Sequence, residues 1–537
     1  MPAQNGRETI DVGRDSAPHY LTNLRRWNLL TSPLFRLPTE VILRIFAHTV
    51  ELDDRSWLAL TAICHRLREI SISCSRLWGT IDFGSPVHVI KMFLERCNFD
   101  PHILIATDHY PSVEADRATV WEELQGRTMG NLHSLVFQGS ERRFDRRVLD
   151  LLRRAPNLSS LEVDACKAGY GWELESLPGD QIPQLSTLRL REVRISWGSP
   201  LLRNLTGLIL SYGAWRAPSE FPPAKTFFAA LANCPDLETL QLSSVGPDLP
   251  DGNQDDRQVV IRLRKLKGLV LRFDDHNVVG YILSRIWFPE STVVEVEAGY
   301  DVDLSVALSQ IIPHPDTETF QRLRRTKSVT VETDKWSYAL TANNFRFSLL
   351  PPHKPHTLLE DPNEDPDALT RFASKVVEIT GSDTVTSLNL KFDLPFGLPY
   401  DIFLGLWKEL LHGFPRLEEV SYFDPNWPHE DFVDPFCLVL SQSFEEGLVC
   451  PRLWDLRIPD RVAQGLSAAA LKSALAERSA RGRRLKRISL SFWMEEDEVL
   501  ALKYFEDVVD EHPQPQDFSW STLIVSGLRE RDTIVRN

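Results

Sequence analysis

The chain has 537 residues, 42% hydrophobic and 25% charged, the balance of a globular protein able to bury a large core. Its 75 acidic residues against 60 basic ones give a formal net charge of −15, which argues against a sequence-independent grip on nucleic acid, because that grip works by neutralising phosphates. No stretch approaches ~18 apolar residues, and the N-terminus lacks a basic segment leading into an apolar core. Neither membrane spanning nor secretion is therefore expected, and the protein is assigned to the cytoplasm, the nucleus or both.

Residues 1–32 are polar with little periodicity and read as a tail. From Leu37 the pattern becomes helical. Pro38 suits a first helical turn, where its missing N–H costs nothing, and Val41, Ile42, Ile45, Phe46 and Val50 recur at helical spacing. Asp53 and Asp54 can cap a second helix carrying Trp57, Leu58, Leu60 and Ile63, and Cys64, Leu67 and Ile70 continue an apolar stripe into a third. Three helices in about forty residues enclose too little apolar surface to be stable alone, so the surplus needs covering by a partner or by the domain that follows.

Leu37-Pro38, Ile45-Phe46, Cys64-His65-Arg66 and Leu77-Trp78 stand in an order and spacing that resembles an F-box, with one departure: Leu67 occupies a position where the family usually has Trp. The resemblance implies a three-helix domain over 33–84 that docks on a Skp-type adaptor and through it a cullin. By the same resemblance Leu37, Pro38, Ile42, Ile45, Phe46, Leu58, Ile63, Leu67 and Trp78 would form the adaptor-facing set. Residues 85–130 read as a linker or capping segment.

Beyond it one phrase returns, L-x-x-L-x-L, clearest in APNLSSLEV (155–163), IPQLSTLRL (182–190), CPDLETLQL (234–242), FPRLEEVSY (414–422) and CPRLWDLRI (450–458). Less complete copies include Leu132-Leu135-Phe137, Leu205-Leu208-Leu210, Leu266-Leu269-Leu271, Val294-Val296, Val329-Val331, Val385-Leu388-Leu390, Leu485-Ile488-Leu490 and Leu523-Val525. Starts at 132, 158, 185, 205, 237 and 266 lie 26, 27, 20, 32 and 29 residues apart, which overlaps the period of leucine-rich repeats. Helical patterns lie between, at Val148-Leu149-Leu152, Phe227-Phe228-Leu231 and Phe403 to Leu411, each followed by a proline that turns the chain into the next strand. The expected fold class is therefore α/β: a small helical F-box followed over 131–530 by a leucine-rich-repeat solenoid with a curved parallel sheet. It resembles the irregular repeats that follow F-boxes in fungal families. The proline- and acid-rich stretch 351–367 is expected to be an exposed insertion.

Nothing in the sequence suggests catalysis, a cofactor or a metal. There is no phosphate-binding glycine loop, no H-E-x-x-H and no G-x-S-x-G, and His429-Glu430-Asp431 lacks a second histidine at useful spacing. The seven cysteines form no C-x-x-C pair and read as reduced, buried thiols. The basic run from Arg478 to Arg487 is consistent with an import signal or anion patch, and equally with a helix end whose arginines sit in solvent.

In such strands the residues beside the buried leucines should line the open face. Those positions hold Glu162, Asp164, Arg189, Arg191, Gln241, Arg272, Lys391 and Arg457. The last six would be the substrate-binding set, a basic stripe suited to acidic or phosphorylated segments, unless they only keep an exposed strand face solvated. The reading is a non-enzymatic substrate-recognition subunit of a cullin-based ubiquitin ligase, with a non-degradative scaffold as the rival.

Overall fold

In the computed structural model the described residues are 36–52, 56–107, 120, 124, 129–139, 152–165, 172–174, 184–213, 221–249, 260–299, 304–312, 318–333, 337–350, 367–392, 400–423, 430–444, 447–459, 466–491, 505 and 508–511. The tail at 1–32, the acidic insertion apart from Asp367, His429 and the Leu523-Val525 copy lie outside them. The chain divides into two compact units, Met1–Leu188 with Glu192–Arg194, and Arg189–Arg191 with Ile195–Asn537.

The first unit opens with three helices, α1 (Thr39–Leu52), α2 (Ser56–Ile63) and α3 (His65–Ser73), and a 3-10 turn over Ser75–Trp78. Strand β1 (Thr80–Asp82) follows, then α4 (Val87–Arg96), β2 (Ile103–Thr107), β3 (Ser134–Gln138) and β4 (Ser160–Asp164). These four strands form a parallel ladder in which Ile81, Leu104, Leu135 and Leu161 align as neighbours, each at most 1% exposed. The ladder thus begins at β1 and β2, ahead of the expected start at 131. Their sequences hid them: β1 is three residues long, and β2 alternates Leu104 with a small Ala106 in place of a second leucine. Short strands β5 (Trp172–Leu174), β6 (Thr187–Arg191) and β7 (Val193–Ile195) lead to the boundary between the units.

The second unit runs β8 (Gly207–Ser211), α5 (Ala224–Ala232), β9 (Thr239–Ser243), β10 (Ile261–Arg262), β11 (Gly268–Phe273), α6 (His276–Leu283), β12 (Ile286–Trp287) and β13 (Val293–Gly299). Two helices, α7 (Leu304–Ile311) and α8 (Glu318–Arg324), precede β14 (Ser328–Thr333), β15 (Tyr338–Ala342) and β16 (Phe345–Leu350). Strand–helix alternation resumes with α9 (Ala368–Thr380), β17 (Ser387–Phe392), α10 (Tyr400–Gly413), β18 (Glu419–Phe423) and α11 (Glu430–Ser441). A small hairpin, β19 (Ser443–Phe444) and β20 (Gly447–Leu448), precedes β21 (Asp455–Pro459), α12 (Leu466–Ala480), β22 (Leu485–Ser491) and β23 (Val509–Glu511).

Alignment of like residues across strands is what fixes the register. Leu208, Leu240, Leu269 and Val294 are successive partners in β8, β9, β11 and β13; Val329, Leu388, Val420, Leu456 and Ile488 do the same in β14, β17, β18, β21 and β22. None exceeds 1% exposure. A slip of one residue would turn a whole row into solvent, so burial specifies the pairing.

Sequential neighbours do not always pair. Beside β13 lies β16, which pairs in turn with β15, then β14, then β17, so β14 and β13 are separated by two later strands. Within this ladder only β15 is antiparallel. Residues 338–350 carry no L-x-x-L-x-L and were not expected as strands; the turn between them uses Asn343 at φ 51°, a left-handed position that Asn tolerates. The helix ends also vary. α5 and α10 stop just ahead of Pro235 and Pro415 as expected, but α9 stops at Gly381, whose φ of 82° terminates the helix without a proline.

Helix packing fills the layer outside the strands. α10 buries Ile402, Phe403, Leu406, Trp407, Leu410 and Leu411, and Trp407 meets Phe436 of α11 with ring centroids 4.6 Å apart. No helix among the described residues is long and apolar enough to cross a membrane.

Candidate interaction surface

The N-terminal helices divide the expected docking residues into two groups. Pro38 leads into α1, with its carbonyl accepting from the amides of Val41 and Ile42. From there two apolar stripes run at i, i+4 spacing. Ile42 and Phe46 are buried at 2% and 1% exposure, whereas Val41 and Ile45 are 38% and 40% exposed. Leu67 and Trp78 are also buried, Leu37 and Leu58 are half-buried, Pro38 is exposed and Ile63 is 59% exposed. Ile72 of α3, outside the expected set, is 43% exposed.

The buried group holds the helices together. Trp78 donates its indole N–H to the Ser71 carbonyl at 2.8 Å, meets Phe93 of α4 edge-on at 4.9 Å, and carries the Arg96 guanidinium over its ring at 4.0 Å. Arg66 donates to the Leu37 carbonyl at 3.3 Å, tying α3 to the start of α1. Cys64 is the N-cap of α3, with its sulfur accepting from the Leu67 amide at 3.4 Å. Ile42, Phe46, Leu67 and Trp78 are therefore internal supports in this chain. The apolar surface they leave outside consists of Pro38, Val41, Ile45, Ile63 and Ile72. Sequence periodicity merged the two stripes because α1 is apolar on two sides.

On the strand face the basic set is also divided. Arg189 and Arg191 are exposed on β6 and Gln241 is half-buried on β9. Arg272 pairs with Glu295 at 3.1 Å and Glu297 at 3.4 Å; Lys391 pairs with Glu332 at 2.7 Å, which also holds Arg346 at 3.0 Å. Arg457 bonds the Asp455 carboxylate through two N–H groups at 3.1 and 3.0 Å, and Arg487 bonds the same fully buried carboxylate from the next strand. A purely basic stripe is thus not what the strands present: Glu295, Glu297, Glu332 and Asp455 neutralise it locally. They escaped the sequence reading because β13 and β14 were recognised from their inward valines alone, although VVEVEAG alternates valine with glutamate in plain view.

The run 478–487 is likewise engaged. Arg478 is fully buried, donating to the carbonyls of Val449 and Cys450 at 2.7 and 2.8 Å, in place of the solvated position expected. Arg484 donates to Val509, and Arg481 pairs with Glu477. Burial pushes the thiols of Cys97, Cys234, Cys437 and Cys450 upward, Cys450 to about 12 despite the opposing charge of Arg478. Among the described residues no cluster of three or more metal-ligating side chains occurs.

A family model described as F-box-like matches residues 34–84. The chain therefore carries an F-box-like domain, coincident with the helices that expose Val41, Ile45, Ile63 and Ile72. No curated protein matches the chain.

Proposed function

We propose that the protein is the substrate-recognition subunit of an SCF-type cullin–RING ubiquitin ligase. The F-box docks on a Skp-type adaptor, and the strands beyond it form a leucine-rich-repeat-like solenoid whose open face binds a protein substrate. One observation carries the reading: within the F-box-like segment, Val41, Ile45, Ile63 and Ile72 lie in solvent while equivalent apolar residues beside them are buried. Exposed apolar side chains concentrated in one small domain are a usual mark of a protein interface. The subunit makes no covalent bond itself. It supplies proximity, holding a substrate lysine near a ubiquitin-charged enzyme and so raising the effective concentration of the reactants.

Affinity purification of the full chain, with the bound proteins identified by mass spectrometry, tests this. Recovery of a Skp-type adaptor and a cullin, lost on Ile45→Glu with Ile63→Glu while the fold is retained, is the expected result. Recovery of neither from the wild-type chain would leave a non-degradative scaffold as the function.

A further inference from the structure

The second unit holds a cavity of about 690 Å³ bounded by α6, α7, α8 and α9. Its size falls within the roughly 300–1,000 Å³ of small-molecule sites. The cavity has a built floor: a Cβ on Gly280 would overlap the Gln310 carbonyl of α7, so only glycine allows these two helices their close approach at this point. Behind it the buried His276 is bonded to the Gln310 side chain. Ile312, Phe320 and Ile379, all buried, and the ring of Tyr281 supply apolar walls.

Charge in the lining is asymmetric. Lys375 and Glu378 neutralise each other, the ammonium lying 2.7 and 2.8 Å from the two carboxylate oxygens. Arg324 remains. Its guanidinium rests over the Phe320 ring at 5.1 Å and has no carboxylate partner among the described residues. A cavity with apolar walls on one side and, at its edge, an exposed guanidinium with no carboxylate partner among the described residues matches an organic molecule with an aromatic or aliphatic body and a single anionic group, since arginine offers forked N–H donors to carboxylate or sulfonate oxygens.

We infer that this cavity is a binding site for a small amphipathic organic anion, with Arg324 as the anion-recognising residue. The test uses a matched pair of fluorescent probes on the full chain: 8-anilinonaphthalene-1-sulfonate and N-phenyl-1-naphthylamine, which has the same rings without the sulfonate. The sulfonate should bind saturably at one site and about tenfold more tightly than the neutral probe, the difference one charge-assisted hydrogen bond provides. Arg324→Gln should remove that difference while leaving the neutral probe unchanged. Ser309→Trp, which places a bulky ring at the exposed rim, should weaken both probes with the melting temperature unaltered. Sulfonate binding that is unsaturable, that survives both substitutions, or that disappears only with Ile45→Glu and Ile63→Glu would overturn the assignment.

Discussion

The same kind of residue serves opposite ends in the F-box-like helices and in the strands of the second unit. Ile45 and Ile63 stand 40% and 59% exposed, whereas Leu240, Leu269 and Leu456 are entirely buried. The difference is one of neighbours. Each strand leucine has an aligned partner on the adjacent strand; a three-helix segment has an inside large enough for one stripe of α1 only. Apolar composition alone thus says little about whether a residue stabilises a fold or awaits a partner.

This contrast can be broken most directly at the leucines. Leu240→Ala or Leu269→Ala should cost roughly 2–5 kcal/mol, because a rigid row cannot collapse onto the lost volume. Chemical denaturation measures it, and a melt equal to wild type would mean that the row is not under packing constraint. The same should hold for Leu161, Leu188 and Leu456, each fully buried, with adaptor recovery retained.

A smaller loss is expected at Asp455→Asn, which leaves Arg457 and Arg487 facing each other without their shared carboxylate. Both arginines are partly exposed, at 41% and 31%, and water screens part of the cost. About 1–3 kcal/mol is expected by denaturation. If stability rose, the carboxylate would be a net burden on the strand face.

Smaller still is the stability effect of Ile45→Glu with Ile63→Glu, within about 0.5 kcal/mol because neither side chain is packed. Adaptor recovery should nonetheless fall to background. A large drop in melting temperature would show instead that these isoleucines belong to a core, and the contrast between the regions would fail.

The last effect is absent at neutral pH and confined to alkaline solution. Burial raises the Cys450 thiol from 9.0 to about 12, so its neutral form is favoured in the folded state. The associated stability is complete below pH 9 and is lost as pH rises from 9 toward 12, when the unfolded chain ionises first. Cys450→Ala should flatten that alkaline decline, as read from melting temperature against pH.

Much of this architecture was legible because leucine spacing reports strand burial directly. The copies at 158, 185, 237 and 453 became β4, β6, β9 and β21. β15 and β16 were illegible because neither carries the leucine spacing, FRFSLL alternating phenylalanine with polar residues, and because β16 also pairs with β13, two strands lying between them in the sequence. In the docking region residue identity was legible and exposure was not. Ile42 and Ile45 differ by less than a helical turn yet face opposite environments. The ion pairs of Arg272 and Lys391 depend on which strands lie side by side, information that no local window contains.

The exchanged order of β14 to β16 bears on how the chain is made. A parallel ladder of sequential strands can grow as it leaves the ribosome, each new strand settling on the one before. Here β13, already paired with β11, finds its second partner only when residues 345–350 have emerged, after β14 and β15 have been synthesised. Up to that point one edge of β13 is unpaired, and the ladder cannot extend past it. Vectorial folding would therefore proceed in two stages, with β14, β15 and β16 closing as a group and joining the earlier strands to the later ones.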